Sequence, residues 1–470
     1  MQEELSQYTQ VYFVGIGGIG MSNLARWFKA NGRIVAGYDR TPSPLTEQLV
    51  KEGIDIHYAD DCKLIPADFV AEKSKTLVIF TPAVPASHGE LQFFMQAGYR
   101  CCKRAEVLGI ITNAMRSICI AGTHGKTTTS SMCAHLLHAG GLDAAAFLGG
   151  ISVNINSNLL INKSLDKETP AVVEADEFDR SFLHLYPAVA IITSTDADHL
   201  DIYHQKRALE DSFIQFARQC RPQALLIVCA QADEYVRTHV GEGLRLRTYS
   251  AQPNAKADIQ AENVKVEAGV FVFDYCSSEI TLRGLQLHMP GLHNIENALA
   301  AITAALEVGL SADVIKTHLS TYQGVKRRFE FQVRHTKAVY IDDYAHHPTE
   351  IEAFLKAVKM LYPSRKLTAI FQPHLFSRTN DFKEGFAKSL ELADEVILMD
   401  IYPARELPMP GVTVQSIREL MRKECVRYVS DNALMELLAD EPLDVWVTVG
   451  AGDIDRFIPQ IKSLIESRLA

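Results

Sequence analysis

The 470-residue chain contains no apolar run that approaches the length needed to span a bilayer, which argues against an integral helical membrane protein. Its nine cysteines are scattered, odd in number and never paired at metal-type spacing. That pattern fits a reducing compartment better than a disulfide framework. The opening residues Met1-Gln2-Glu3-Glu4-Leu5-Ser6-Gln7 are polar and acidic, with no secretory leader, so a cytoplasmic location is expected. A basic excess is missing too. With 47 Lys and Arg against 57 Asp and Glu, the net charge is −10, and no electrostatic footprint for nucleic acid exists. Anionic substrates would therefore need local cations. Internal repeats and low-complexity segments are absent. The length exceeds one ordinary domain, and the 47% of apolar residues supplies several cores.

What is present centres on Gly122-Thr123-His124-Gly125-Lys126-Thr127-Thr128. The apolar residues 118–121 read as a buried strand, and residues 126–139 as a helix stopped by Gly140-Gly141. Two glycines let backbone N–H groups turn inward at a helix N-terminus, where anions are favoured. Lys126 then reaches terminal phosphate oxygens, and Thr127 offers a hydroxyl to Mg²⁺. Ile120 stands where the usual P-loop has its leading glycine, so this is a short variant.

Upstream, Val11-Tyr12-Phe13-Val14 reads as a strand feeding Gly15-Ile16-Gly17-Gly18-Ile19-Gly20 and a helix, and a second strand ends in Asp39. This is the dinucleotide-fold fingerprint, a loop that accepts any diphosphate. Asp39 reads either as a ribose partner or as a solvated acid at a strand end. Downstream, one strand ends in Glu174-Ala175-Asp176-Glu177 and the next in Asp196-Ala197-Asp198-His199. Acids at these positions are where a Mg²⁺ held against triphosphate finds ligands. Glu174 is the stronger candidate, because imidazole is an unusual partner for Mg²⁺ and His199 is equally well read as structural. Residues 259–287 alternate as a β-meander. A helix follows in which Asn294 and Asn297 offer amides to an adenine edge, with helix capping by Asn294 an equal alternative.

After the basic turn at 324–330, strands and helices alternate again, giving a further parallel sheet. Its strand ends carry Asp342-Asp343-Tyr344-Ala345-His346-His347, His374 with Arg378, and Gly450-Ala451-Gly452.

In this order the motifs resemble those of the Mur ligase family over essentially the whole chain. The resemblance implies three α/β domains. These are a Rossmann-like domain for a UDP-sugar (1–111), a P-loop ATPase-like domain with the added meander (112–323) and a Rossmann-like amino-acid domain (324–470). It implies ATP-driven amide formation between UDP-N-acetylmuramate and L-alanine through an acyl phosphate, by a monomer or weak homodimer with no nucleic-acid or membrane partner. Carried over residue by residue, Gly15, Gly17, Gly18, Gly20, Asp39, Thr81 and Arg104 meet the UDP-substrate. Gly122 to Thr128, Asn294, Asn297, Arg328 and Asp342 meet ATP. Lys126, Glu174 and His199 are catalytic, with Thr127, Glu174 and His199 at the metal. Tyr344, His346 and Arg378 line the amino-acid site, Arg378 on the carboxylate. The sequence departs from the family at Ser194 (usually Asn), Pro82 (often Ser), and Leu375 and Asn380 (often Arg); the Leu375 change removes a cation beside the acceptor. A ligase for a preformed peptide is the rival within the family. An NAD-dependent oxidoreductase built on the first fingerprint is the remote one.

Overall fold

The computed structural model describes residues 5–164, 166–197, 203, 205–232, 234–240, 243–404, 406–422 and 425–469. Three sheets organise the chain, as the α/β alternation implied. The first is five-stranded and parallel, in the order Asp55–His57, Ile34–Tyr38, Gln10–Val14, Thr76–Phe80, Arg100–Lys103. Its core gathers Tyr12, Val14, Tyr38, Phe69, Val78, Leu91 and Phe94. Strand Gln10–Val14 is central and buried, so the glycine loop that follows it lies at the carboxyl edge, where such sheets bind ligands.

The second sheet has ten strands. Arg116–Ala121 lies between Pro170–Glu174 and Val189–Ile192, parallel to both. All three strands are almost wholly buried, which explains their unbroken apolar runs. Parallel register makes them end together, so Gly122, Glu174 and Thr193 emerge on one edge. The meander forms as Ile259–Glu267, Val270–Ser277 and Thr281–Leu287. Helix Lys126–Ala139 has the bounds read from the sequence, and its end is closed by Gly140 N–H donating to Leu136 O at 2.9 Å and by Gly141 at φ +84°.

The third sheet runs Glu330–Arg334, Val339–Asp343, Val445–Val449, Leu367–Phe371, Glu395–Leu398, Val426–Tyr428, with only the first pair antiparallel. Its core includes Tyr340, Ile370, Ile397, Trp446, Ile461 and Ile465. The late strand Val445–Val449 inserts between two earlier ones. Asp342, Asp343 and Gly450 therefore flank a switch in strand order.

The chain groups into two compact units. The first holds Met1–Glu262, Asp274–Leu285 and Glu296–Tyr322, and so contains both the glycine loop and the P-loop. The second holds Asn263–Phe273, Gln286–Ile295 and Gln323–Ala470. Among the described residues, no helix is long and apolar enough to cross a membrane.

Candidate active site

In the first unit the loop between strand Arg116–Ala121 and helix Lys126–Ala139 requires both of its glycines. Gly122 sits at φ +130°, where a Cβ would come 2.2 Å from Thr193 Oγ1; Gly125 sits at φ +83°, where it would come 2.6 Å from Asn297 Oδ1. The loop is held from the neighbouring strand end. Thr123 N–H donates to Ser194 O at 3.2 Å, His124 N–H to Ser194 Oγ at 2.8 Å, and Thr123 Oγ1 to Asp196 O at 2.9 Å. The Ser194 departure therefore supplies a hydroxyl acceptor for the loop itself. His124 Nε2 lies 3.4 Å from Asp196 Oδ2.

Lys126 points back over this loop, with Nζ 2.7 Å from Gly122 O and 2.9 and 2.8 Å from the two oxygens of Glu177. Glu177 is fully buried. Burial pulls the Lys126 ammonium toward neutrality, but Glu177, Asp176 and Glu174 outweigh it and raise its pKa, so it stays charged. Thr127 Oγ1 donates to Glu174 Oε1 at 3.2 Å, and Gly149 N–H to Glu174 Oε2 at 3.0 Å. A hydroxyl and a carboxylate thus face one another at the first turn of the P-loop helix. Thr128 is buried in that same turn, and Asn297 Oδ1 accepts the Thr129 hydroxyl at 3.1 Å.

The glycine loop of the first sheet is built as tightly. A Cβ on Gly15 (φ +89°) would lie 2.7 Å from Thr81 Cγ2, and one on Gly20 would lie 2.7 Å from Arg104 Nη1. Gly18 opens helix Ile19–Ala30 as its N-cap. Asp39 Oδ2 accepts the Gly17 N–H at 2.6 Å, so this acid staples the loop in addition to marking the strand end. A cavity of about 260 Å³ lies between the glycine loop and the end of strand Pro170–Glu174. Gly18, Gly20, Asn23, Thr81, Pro82 and Arg104 line one side, and Phe147, Gly149, Glu174 and Asp176 the other.

In the second unit, Asp342 is fully buried, accepting from Thr448 Oγ1 at 2.6 Å and Arg327 Nε at 3.2 Å. Its partner is Arg327. Arg328 instead lies 3.7 Å from Glu350 Oε1, with its guanidinium 5.3 Å from the centre of the Tyr344 ring. The turn carries positive φ at Arg327 (61°) and Phe329 (49°), and the Arg327 guanidinium also lies 5.1 Å from the centre of the Tyr344 ring. Asp343 clamps it, accepting from Phe329 N–H at 2.7 Å and Ala345 N–H at 2.8 Å. Burial raises its pKa to about 7, opposed by Arg328 and those two amides. Tyr344 and His346 meet edge to face at 5.4 Å, and His374 lies 6.3 Å from His346. Arg378 is buried in the first turn of helix Phe376–Leu390; Leu375, at φ 68°, precedes that helix, and Asn380 is exposed. The Asn294 amide donates to Pro290 O at 2.7 Å, within the first turn of its helix.

The structure thus gathers Lys126, Thr127 and Glu174 at one edge, the residues 15–20 with Asp39, Thr81 and Arg104 at another, and Tyr344 with His346 in the second unit. His199 and its neighbour Asp198 lie outside the described residues. Glu177 and Gly149 were not read as site residues from the sequence. The run Glu174-Ala175-Asp176-Glu177 was the available signal for Glu177. Nothing in the sequence pointed to Gly149.

Residues 10–116 match the family pattern described as Mur ligase family, catalytic domain; 120–305 match the Mur ligase middle domain; and 327–452 match the Mur ligase, glutamate ligase domain. The chain is 49% identical to a UDP-N-acetylmuramate–L-alanine ligase of Flavobacterium johnsoniae, over 99% of this chain and 100% of the relative. It is 48% identical to the protein of the same name from Cytophaga hutchinsonii, over 99% and 98%. Among solved structures, UDP-N-acetylmuramate-alanine ligase MurC from Thermotoga maritima superposes with a TM-score of 0.79 at 27% identity, covering 98% of this chain and 99% of that one. A murein peptide ligase from Psychrobacter arcticus gives 0.70 at 25% identity, over 97% and 98%.

Proposed function

The chain belongs to the Mur ligase family, and on that premise we propose that it joins the lactyl carboxylate of UDP-N-acetylmuramate to the amine of L-alanine, converting ATP to ADP and phosphate. The observation that carries this reading is the cavity whose walls are the glycine loop on one side and Glu174 with Gly149 on the other. A diphosphate held on the first loop would direct the acid end of its sugar toward Glu174, whose carboxylate accepts the Thr127 hydroxyl.

The chemistry follows from the carboxylate. Its leaving group would be oxide, so it must be phosphorylated before an amine can displace anything. A carboxylate oxygen attacks the γ-phosphorus of ATP and ADP leaves. The amine of alanine then attacks the acyl carbon, and phosphate departs from the tetrahedral intermediate, taking the attacking carboxylate oxygen with it.

Two anions have to meet in the first step. Lys126, kept charged by Glu177, supplies the protein's cation there, and the N–H groups of residues 122–128 orient the phosphates. The facing oxygens of Thr127 and Glu174 form a hard donor set suited to Mg²⁺, with His199 the further ligand the family resemblance implies. When bound, Mg²⁺ supplies the remaining charge neutralisation between carboxylate and triphosphate. Arg104 and Thr81 beside the glycine loop hold the UDP-sugar, with Gly15 to Gly20 and Asp39. Asn294 and Asn297 read adenine, and Arg328 and Asp342 serve the ATP side. Tyr344, His346 and Arg378 take alanine, with the guanidinium of Arg378 on its carboxylate. The domains divide at 1–111, 112–323 and 324–470, and the enzyme works in the cytoplasm as a monomer or weak homodimer.

The oxidoreductase reading leaves the Lys126–Glu177 pair and the acid at 174 without a task, and Asp39 is engaged by the Gly17 amide.

Oxygen-18 placed in the lactyl carboxylate tests the mechanism. One labelled oxygen is expected in the released phosphate; unlabelled phosphate alongside amide product would refute the acyl-phosphate route.

A further inference from the structure

Helix Ile19–Ala30, which leaves the glycine loop, is fastened to the P-loop sheet by a side chain that the mechanism leaves unused. Asn158 lies in strand Ser157–Leu160 and is fully buried. Its amide nitrogen donates to Ile19 O at 2.7 Å and to Ser22 Oγ at 3.1 Å, and its Oδ1 accepts from Arg26 Nη1 at 2.7 Å. A guanidinium only donates and a carbonyl only accepts, so these partners fix which way the amide faces. Arg26 is itself locked, with Nε and Nη2 donating to the two oxygens of Glu52 at 2.8 and 2.9 Å. The first two turns of the helix thus converge on one buried amide.

The strand that carries Asn158 leads to the reacting groups. It pairs antiparallel with Ala145–Ser152, which pairs parallel with Pro170–Glu174. Leu148 O accepts the amide of Asn23, from the same helix, at 3.4 Å, and the next N–H, that of Gly149, donates to Glu174 Oε2 at 3.0 Å. The glycine loop and Glu174 are two walls of one cavity, and their separation depends on how the helix seats on this hairpin. The Asp39 bond to Gly17 shapes the first loop and the Ser194 bond to His124 shapes the second; neither spans the two. A carboxylate carried by one loop and a phosphate held by the other react only when oxygen and phosphorus come within about 3–3.5 Å.

We propose that Asn158 is a positioning residue for phosphoryl transfer: it seats the helix of the glycine loop so that the lactyl carboxylate arrives within reach of the γ-phosphate. The proposal rests on the activity proposed above.

The test uses the full chain and two variants. Asn158→Leu removes all three hydrogen bonds at similar volume. Asn158→Asp keeps the acceptor for Arg26 but loses the donors and sets a carboxylate against Ile19 O. Dissociation constants for UDP-N-acetylmuramate and for ATP are measured separately by calorimetry, and kcat from alanine-dependent phosphate release at saturation. Both variants are expected to lose about tenfold or more in kcat while binding each substrate within about twofold of the wild type, because the contacts inside each loop are untouched. A wild-type kcat in N158D, or affinity losses that match the loss in kcat, would overturn the proposal. If neither variant folds, Ser22→Ala decides, since it removes one of the two acceptors of the Asn158 amide. A kcat about threefold lower at unchanged affinities supports the proposal, and a wild-type kcat overturns it. Wild-type enzyme that forms no amide from L-alanine overturns the activity proposed above and this proposal with it. Alanine turnover with unaltered kcat in the variants overturns this proposal alone.

Discussion

Both carboxylate oxygens of Glu177 lie within hydrogen-bonding reach of Lys126 Nζ, at 2.9 and 2.8 Å, and the glutamate has no exposed surface. Removing either partner leaves a buried charge uncompensated, at a cost of about 3–5 kcal/mol. Lys126→Met should therefore abolish turnover and also lower the thermal unfolding midpoint. Glu177→Gln should lower the midpoint as well. The double variant should lose less than the sum of the two. Strictly additive losses in a thermal-shift cycle would mean that the pair is not coupled.

Gly149 sets the position of Glu174. A Cβ there would lie 2.1 Å from Oε1 and 2.4 Å from Oε2 of that carboxylate. Gly149→Ala should push Glu174 away from Thr127 and cut kcat by about a hundredfold, the scale of a misplacement near 1 Å. The KM for L-alanine should change little. A near-normal kcat in a folded variant would remove Glu174 from the phosphoryl-transfer step.

Arg378→Ala should raise the KM for L-alanine much more than the KM for ATP, because one substrate loses its counter-ion and the other does not. Equal effects on both would move Arg378 out of the amino-acid site.

Asp343 gives the fold a calculable pH response. Its carboxyl titrates near 7 in the folded chain, well above the ordinary value of 3.8, so the folded state holds a proton that the unfolded state has released. Between about pH 4 and 7 the Asp343 contribution to stability therefore falls as pH rises, and it levels off above that window. Asp343→Asn removes this dependence. The melting temperature of the variant minus that of the wild type should climb across the window and then flatten; a pH-independent difference would contradict the assignment.

The elements were legible wherever burial dictated composition. Strand Arg116–Ala121 and helix Lys126–Ala139 follow from an apolar run, two glycines and a Gly140-Gly141 stop. What the sequence concealed were pairings set by the path of the backbone. Lys126 and Glu177 are 51 residues apart, and no local periodicity links them. The motif at 327–328 presents two arginines, and only the folded structure shows that the first of them pairs with Asp342. Asp39 was open between ribose and solvent, and the structure gives it the Gly17 amide. Gly149 carries no motif at all; its requirement appears only when Glu174 is seen packed against it.

The assignment as a whole turns on the acceptor. The direct measurement is phosphate release and amide formation with ATP and UDP-N-acetylmuramate, offering L-alanine, glycine, L-serine and a preformed tripeptide in parallel. The account predicts the highest kcat/KM for L-alanine, with one ADP and one phosphate released per amide formed. Preference for the tripeptide, or ATP cleavage without amide from any acceptor, would contradict it.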